Sequence, residues 1–239
     1  MRFLAKDIVP SLMTKIRSEF NRDMKASPTI QNLIKTINSG NATHIQSQQY
    51  ATEVGRILAN VFKRRITADA LPDGRMYFNI AERILNSTLN RNHNLVAGAA
   101  AYVQETLNKK AGIGLKALRP AFNKSRVAGL VERLSAEEEF ANVAWLLDEP
   151  IVNFSQAIVD ETVRVNAEFH SDAGLSPTIT RTIVGETCNW CKSLAGTYSY
   201  EEVKETGHPV FRRHRDCDCL IVYDPGGGRR QNVHTKKWV

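Results

Sequence analysis

The first 187 of the 239 residues contain no cysteine, and the four cysteines of the chain all lie between Cys188 and Cys219. A disulfide framework is therefore excluded for the larger part of the chain, which must be stabilised by an apolar core. The hydrophobic fraction of 42% is ordinary for a soluble globular protein and is sufficient to build such a core.

Long apolar runs are also missing. No stretch approaches the run of about 18 apolar residues that a membrane-spanning helix needs. Residues 1–6 lack the apolar segment and the small-residue cleavage site of a secretory signal. We therefore expect no membrane span and a reducing cytoplasm, where cysteines serve as metal ligands rather than as disulfides. Repeats of 20 to 50 residues and low-complexity segments are absent too, which excludes a solenoid.

The net charge of +7 is spread unevenly along the chain. Residues 180–239 hold 10 Lys and Arg against 7 Asp and Glu, whereas the first 179 residues hold 22 against 18. This C-terminal excess predicts either a nucleic-acid contact or an ordinary solvated surface. The candidate phosphate-binding residues are Arg212, Arg213, Arg215, Arg229 and Arg230.

Apolar residues at helical spacing predict helices from the N-terminus to about residue 170. The best-marked helix has Ser27 as its N-cap, Pro28 in its first turn and Gly40 after its end. We predict a break near residues 90–94, a capping box at 135–138 that begins a helix, and the end of that helix at Pro150. The predicted helical segments are residues 12–20, 30–37, 46–65, 78–89, 95–107, 127–134, 140–147 and 151–169.

The pattern changes after residue 173. Residues 178–184 are rich in β-branched side chains and predict a strand, residues 219–223 predict a second, and residues 235–239 a third. The predicted fold class is α+β. We expect an elongated helical bundle over residues 1–172 and a small mixed module over 173–239 that a bound zinc ion holds together.

The cysteines follow the pattern C-x2-C, then 22 residues, then H-x2-C-x-C. Thiolates at such spacings favour one structural zinc ion, which takes four ligands. Five candidates compete for the four positions. Either all four cysteines bind and the histidine lies outside, or three cysteines and the histidine bind and Cys217 or Cys219 is spare. The candidates are Cys188, Cys191, His214, Cys217 and Cys219.

Catalytic interpretations of the cluster fail against the sequence. A zinc deaminase has H-x-E before P-C-x-x-C, but this chain has Asp172 in place of the glutamate and Thr187 in place of the proline. A redox C-x-x-C belongs beside a βαβ pattern, which is absent. The glycine-rich residues 224–230 lack the Gly-Lys-Ser/Thr of a phosphate-binding loop and predict a hairpin turn. We therefore expect a closed, structural metal site and not a catalytic one.

The C-terminal motif resembles that of phage minor head proteins, the head morphogenesis proteins of the Mu F type. The shared features follow a long helical region and are Arg181-Thr182, C-x-x-C, Leu194-Ala-Gly196, His208-Pro209 and Arg213 directly before H-x-x-C-x-C. The resemblance covers about 40 residues, and elsewhere it is limited to the helical architecture. The insertion at residues 198–202 departs from the family pattern.

The resemblance implies a virion protein that is not an enzyme, present in a few copies in the head and, during assembly, in the host cytoplasm. Its expected partners are the portal or major capsid protein and packaged DNA, with roles in head assembly and in DNA packaging or ejection. One alternative is a DNA-binding or nuclease module that uses the basic C-terminal face. A free-standing toxin or effector is the other.

Overall fold

A computed structural model of the protein describes residues 7–185, 188–214 and 216–226. It confirms the predicted α+β class: a largely helical region precedes a small three-stranded sheet. The helices are α1 (Val9–Ala26), α2 (Pro28–Asn38), α3 (His44–Arg65), α4 (Phe78–Lys110), α5 (Lys124–Ala136), α6 (Phe140–Val143), α7 (Glu149–Asp172), α8 (Asn189–Ser193) and α9 (Tyr200–Thr206). The strands are β1 (Thr178–Thr182), β2 (Gly196–Ser199) and β3 (Leu220–Asp224).

Helices α1 to α3 follow the signals in the sequence closely. The Ser27 hydroxyl accepts a hydrogen bond from the backbone of Ile30, as expected of an N-cap. Gly40 follows α2 with φ of +73°, a left-handed conformation that glycine adopts without strain. Helix α3 begins two residues before its predicted start, because Thr43 and Gln46 form a capping box there.

The predicted break at residues 90–94 is wrong, since α4 is one continuous helix of 33 residues. Two polar side chains in that run are buried and have partners in other elements. The Asn92 amide donates to the Ser155 hydroxyl at 3.0 Å, and His93 Nε2 lies 3.1 Å from the carbonyl oxygen of Pro120. Polar residues that find such partners can remain inside a helix.

The capping-box prediction at residues 135–138 is also wrong. Ser135 lies in the last turn of α5, where its hydroxyl donates to the carbonyl of Val131 at 2.9 Å. The apolar residues that follow form only the single turn of α6 and a 3-10 turn at Ala144–Leu147. Pro150 does not end a helix, because it lies in the first turn of α7.

Helix α7 lies at the centre of the helical region and packs closely against α3. A Cβ atom built on Gly55 of α3 would lie 2.8 Å from the Cα of Val152 in α7, which is closer than real Cβ atoms approach. The absence of a Cβ atom at Gly55 is therefore what lets the two backbones approach so closely. No helix in the described part of the chain is long and apolar enough to cross a bilayer.

The sheet has the strand order β2-β1-β3, and both pairings are antiparallel. Ile179 of the central strand β1 pairs with Tyr198 on one side and Tyr223 on the other. The strands predicted at 178–184 and 219–223 are present with slightly different ends. Strand β2 was not predicted, and the strand predicted at 235–239 lies outside the described residues, as do residues 227–230 of the predicted hairpin turn.

The apolar core of the C-terminal module is built on α7. Val163 and Ala167 of that helix are fully buried against side chains of the module. Helix α7 therefore contributes to two cores: one face packs against the other helices, and another face packs against the C-terminal module. The module residues of this second core are Ile179, Tyr200, Val203, Val210, Ile221 and Tyr223.

Candidate metal centre

The C-x2-C pair lies where the chain enters α8. Cys188 is the N-cap residue of this short helix, and its sulfur accepts a hydrogen bond from the backbone N–H of Cys191 at 3.5 Å. This turn directs both sulfurs to the same side. Cys188 is exposed, whereas Cys191 is only 1% exposed.

The second group of ligands lies on the approach to β3. Asp216 has φ of +57°, and this left-handed residue turns the chain between His214 and Cys217. Cys217 and Cys219 follow and are both buried. The turn thus brings the H-x2-C-x-C segment against the C-x2-C segment.

The five predicted ligands meet in one cluster that can hold a metal ion. It consists of two triads, Cys188 with Cys191 and His214, and Cys191 with Cys217 and Cys219. The donor atoms of each triad lie within 4.8 Å of one another, and Cys191 belongs to both.

One separation within the cluster, that between two sulfurs, matches coordination of a common zinc ion. His214 Nε2 lies 2.9 Å from the Cys191 sulfur and 3.3 Å from the Cys188 sulfur. The sulfurs of Cys191 and Cys217 are 3.7 Å apart. Two sulfurs bound to one zinc ion at about 2.3 Å in tetrahedral geometry lie about 3.8 Å apart. The donor set therefore fits an ion of this kind.

A buried guanidinium lies against the sulfurs. Arg181 of β1 is 1% exposed, and its Nη2 atom is 3.4 Å from the Cys217 sulfur and 3.6 Å from the Cys191 sulfur. Its Nη1 atom donates to the carbonyl oxygens of Val210 and Arg212 at 2.6 and 2.8 Å. Arg181 was expected only as part of the family-like motif, and no role at the site was predicted for it. The available signal was the alternation of β1, which places Arg181 on the same face as the buried Ile179.

Arg213 has a structural role rather than the predicted contact with nucleic acid. Its side chain is 2% exposed and forms an ion pair with Asp160 of α7. The same guanidinium donates to the carbonyl oxygens of Cys217 and Cys219 at 2.9 and 2.8 Å. Burial alone would lower the pKa of Arg213, but the charge of Asp160 outweighs it and raises that pKa. Arg213 therefore fixes the Cys217–Cys219 segment to α7.

Two further side chains of α7 reach the ligand segment. The Asn153 amide donates to the carbonyl oxygen of His214 at 2.6 Å, and the Gln156 amide donates to the Asp218 carboxylate at 3.5 Å. Together with Asp160, they form one polar face of α7, with spacings of three and four residues. This face positions the second half of the cluster.

The two thiols of the C-x2-C pair differ in acidity. The backbone N–H of Cys191 lowers the pKa of Cys188. Burial, and next the hydrogen bond with Cys219, raises the pKa of Cys191 to about 12. A thiol so difficult to ionise gives up its proton near neutral pH when a metal ion takes its place.

No family model, curated protein or solved structure matches this chain. The resemblance to phage minor head proteins therefore rests on the C-terminal motif alone.

The remaining predicted site residues divide into two groups. Arg212 is exposed. Arg215, Arg229 and Arg230 lie outside the described residues. Because Arg213 is paired with Asp160, Arg212 is the one predicted phosphate-binding residue in the described part of the chain that remains a candidate. Trp190 is 38% exposed and lies edge-on to the His214 ring, with 5.5 Å between the centroids.

Proposed function

We propose that the C-terminal module binds one structural zinc ion and that the chain is a minor head component of a tailed phage. The observation that carries the metal proposal is the environment of Arg181. Within residues 7–185, 188–214 and 216–226, no carboxylate lies within ion-pair distance of this buried guanidinium. Its nearest acidic groups are the cysteine sulfurs.

A buried cation without a counter-ion is strongly destabilising. Thiolates would neutralise Arg181, whereas protonated thiols would not. A zinc ion converts buried thiols to thiolates, and the resulting zinc–thiolate group carries a net negative charge. Arg181 thus favours a metal-bound cluster over a set of four neutral thiols.

The site is suited to a structural ion. A catalytic zinc keeps one position open for water, whereas this cluster offers five donors for four positions. Three of its cysteines are buried, and the His214 ring is covered at its edge by Trp190. We therefore assign no catalytic step to the protein.

Elemental analysis of the purified full-length protein tests the metal proposal. About one zinc ion per chain is expected. A protein that purifies with no tightly bound metal, and that gains none from added zinc, would contradict it.

The head-protein proposal rests on the motif resemblance, and the helical region offers a surface for a portal or capsid contact. Tyr77 and Phe78 are adjacent at the start of α4 and are 38% and 52% exposed. Exposed apolar residues that lie together mark interaction surfaces, while isolated ones are common. Tyr102, 51% exposed, provides an isolated comparison on the same helix.

Two measurements test this proposal. The genes that flank the coding sequence should include those for portal, terminase and capsid proteins, and their absence would contradict it. The portal protein encoded there should bind the purified chain. Phe78→Ser should weaken this binding, Tyr102→Ser should not, and equal effects would exclude the proposed surface.

A further inference from the structure

The zinc proposal leaves open which four of the five donors bind the ion, and the buried charges around the cluster bear on that choice. This inference depends on the proposed zinc site. Two guanidinium groups are buried beside the ligands, those of Arg181 and Arg213. Asp160 neutralises Arg213. One positive charge, that of Arg181, therefore remains to be balanced by the cluster.

The two candidate ligand sets differ in charge. Zinc with four thiolates carries a net charge of about −2, and zinc with three thiolates and a neutral imidazole about −1. Only the second set is neutralised by a single guanidinium. A buried excess charge is costly, so the charge balance favours three cysteines and His214.

The orientation of His214 agrees with this set. Its Nε2 atom faces the sulfurs of both Cys188 and Cys191, at 3.3 and 2.9 Å. A histidine outside the ligand set has no need to direct a ring nitrogen between two sulfurs. The Asn153 amide donates a hydrogen bond to the backbone carbonyl oxygen of His214, and this bond fixes the position of the residue that carries the ring.

The position of Arg181 distinguishes the two remaining cysteines. Its Nη2 atom lies 3.4 Å from the Cys217 sulfur, close enough to donate to a thiolate. In the described part of the chain, no N–H group donates to the Cys219 sulfur. Arg181 thus reaches the sulfurs of Cys191 and Cys217, two members of the triad that also contains Cys219, and this contact favours Cys217 over Cys219 as the ligand.

We propose that Cys188, Cys191, His214 and Cys217 coordinate the zinc ion, with Arg181 as its buried counter-ion. Cys219 then lies buried beside the site and outside the ligand set. Because Cys217 and His214 belong to different triads, coordination requires a shift in the turn at Asp216 that joins them. Arg181 acts as a positioning residue that stabilises the three-thiolate set.

X-ray absorption spectroscopy of the zinc-loaded wild-type protein tests the ligand set without any substitution. Three sulfur ligands and one nitrogen ligand are expected. Four sulfur ligands would overturn this inference while leaving the zinc proposal intact, and the lack of any bound zinc would overturn the zinc proposal itself.

Cys219→Ser and Cys217→Ser form a matched pair, since they make the same change two residues apart. Zinc affinity, measured by competition with a chelating dye, should change little in Cys219→Ser and fall sharply in Cys217→Ser. The reverse order would assign the fourth position to Cys219 and overturn the inference.

Arg181→Met should lower zinc affinity by about 10- to 100-fold, the range typical of groups that hydrogen-bond to metal ligands. Arg181→Lys keeps the charge and should recover part of the loss. If the lysine variant binds zinc no better than the methionine variant, while both keep wild-type helical circular dichroism, the counter-ion role is excluded.

Discussion

Arg213 and Asp160 form an ion pair whose side chains are 2% and 3% exposed, and this pair joins the C-terminal module to α7. Both side chains of the pair are buried, and Arg213 also donates hydrogen bonds to the carbonyl oxygens of Cys217 and Cys219. The pair links the stability of the helical region to the geometry of the metal cluster.

Asp160→Asn should therefore affect both properties. The change leaves Arg213 buried without its counter-ion and should cost about 3–5 kcal/mol of unfolding free energy. Urea denaturation of the zinc-loaded protein measures this loss. The matched control is Glu161→Gln at the next position, where the carboxylate pairs with Arg164 at the surface and should contribute under about 1 kcal/mol. Equal losses in the two variants would contradict the role of the buried pair.

Removal of the proposed zinc ion should loosen the C-terminal module and leave most of the helices folded. With a chelator, amide hydrogen exchange should increase across residues 178–226. Protection in α1 to α4 should persist, because their core consists of apolar contacts that do not involve the cluster. Exchange that increases equally throughout the chain would show instead that the metal supports the whole fold.

Acidification should destabilise the protein through its buried histidines. Burial lowers the pKa of His44 to about 4, from 6.5 in an unfolded chain. The unfolded chain therefore binds a proton first, so stability is complete above pH 6.5 and falls between pH 6.5 and 4. Between pH 6.5 and 5 the loss from His44 should reach about 2 kcal/mol.

Denaturation of wild type and His44→Gln at pH 7.5 and 5 measures this contribution. The variant should show the smaller loss, and the comparison cancels protonation of the metal ligands, which affects both proteins. Burial also lowers the pKa values of His93 and His170, so part of the pH dependence should remain. Identical pH dependence in the two proteins would exclude His44.

Gly55→Ala should destabilise the protein by about 1–3 kcal/mol, because the added methyl group meets the backbone of α7. Gly129→Ala is the control, since nothing lies within 4 Å of a Cβ atom at that position of α5. That change should stabilise the helix by about 0.5–1 kcal/mol. In thermal unfolding, the midpoint temperature of Gly55→Ala should lie below that of the wild type, and that of Gly129→Ala should lie above it.

The elements that could be predicted from the sequence are those whose signals lie in adjacent residues. Ser27, Pro28 and Gly40 identified α2 because caps act on adjacent backbone groups. The cysteine spacing identified the cluster because zinc ligands occur in short paired motifs. The break assigned within α4 failed because Asn92 and His93 are satisfied by Ser155 and Pro120, which are distant in sequence and were not paired with them from the sequence.

The roles of Arg213 and Arg181 could not be predicted for the same reason, because their partners lie in distant parts of the sequence. Arg213 was assigned to nucleic acid because its neighbours are basic, yet its partner Asp160 lies 53 residues earlier in the chain. Arg181 was noted only as part of the family-like motif and was given no role, although the alternation of β1 places it on the inner face. A buried arginine is recognised only when its counter-charges are known, and here they come from two other segments.

The shared helix α7 also has a consequence for synthesis on the ribosome. Val163 and Ala167 leave the ribosome well before Ile221 and Tyr223, which later cover them. Until those residues have been synthesised, Val163 and Ala167 form an exposed apolar stripe on α7. The same stripe would be uncovered in a fragment cut at residue 172, so such a fragment should aggregate more readily than the whole protein.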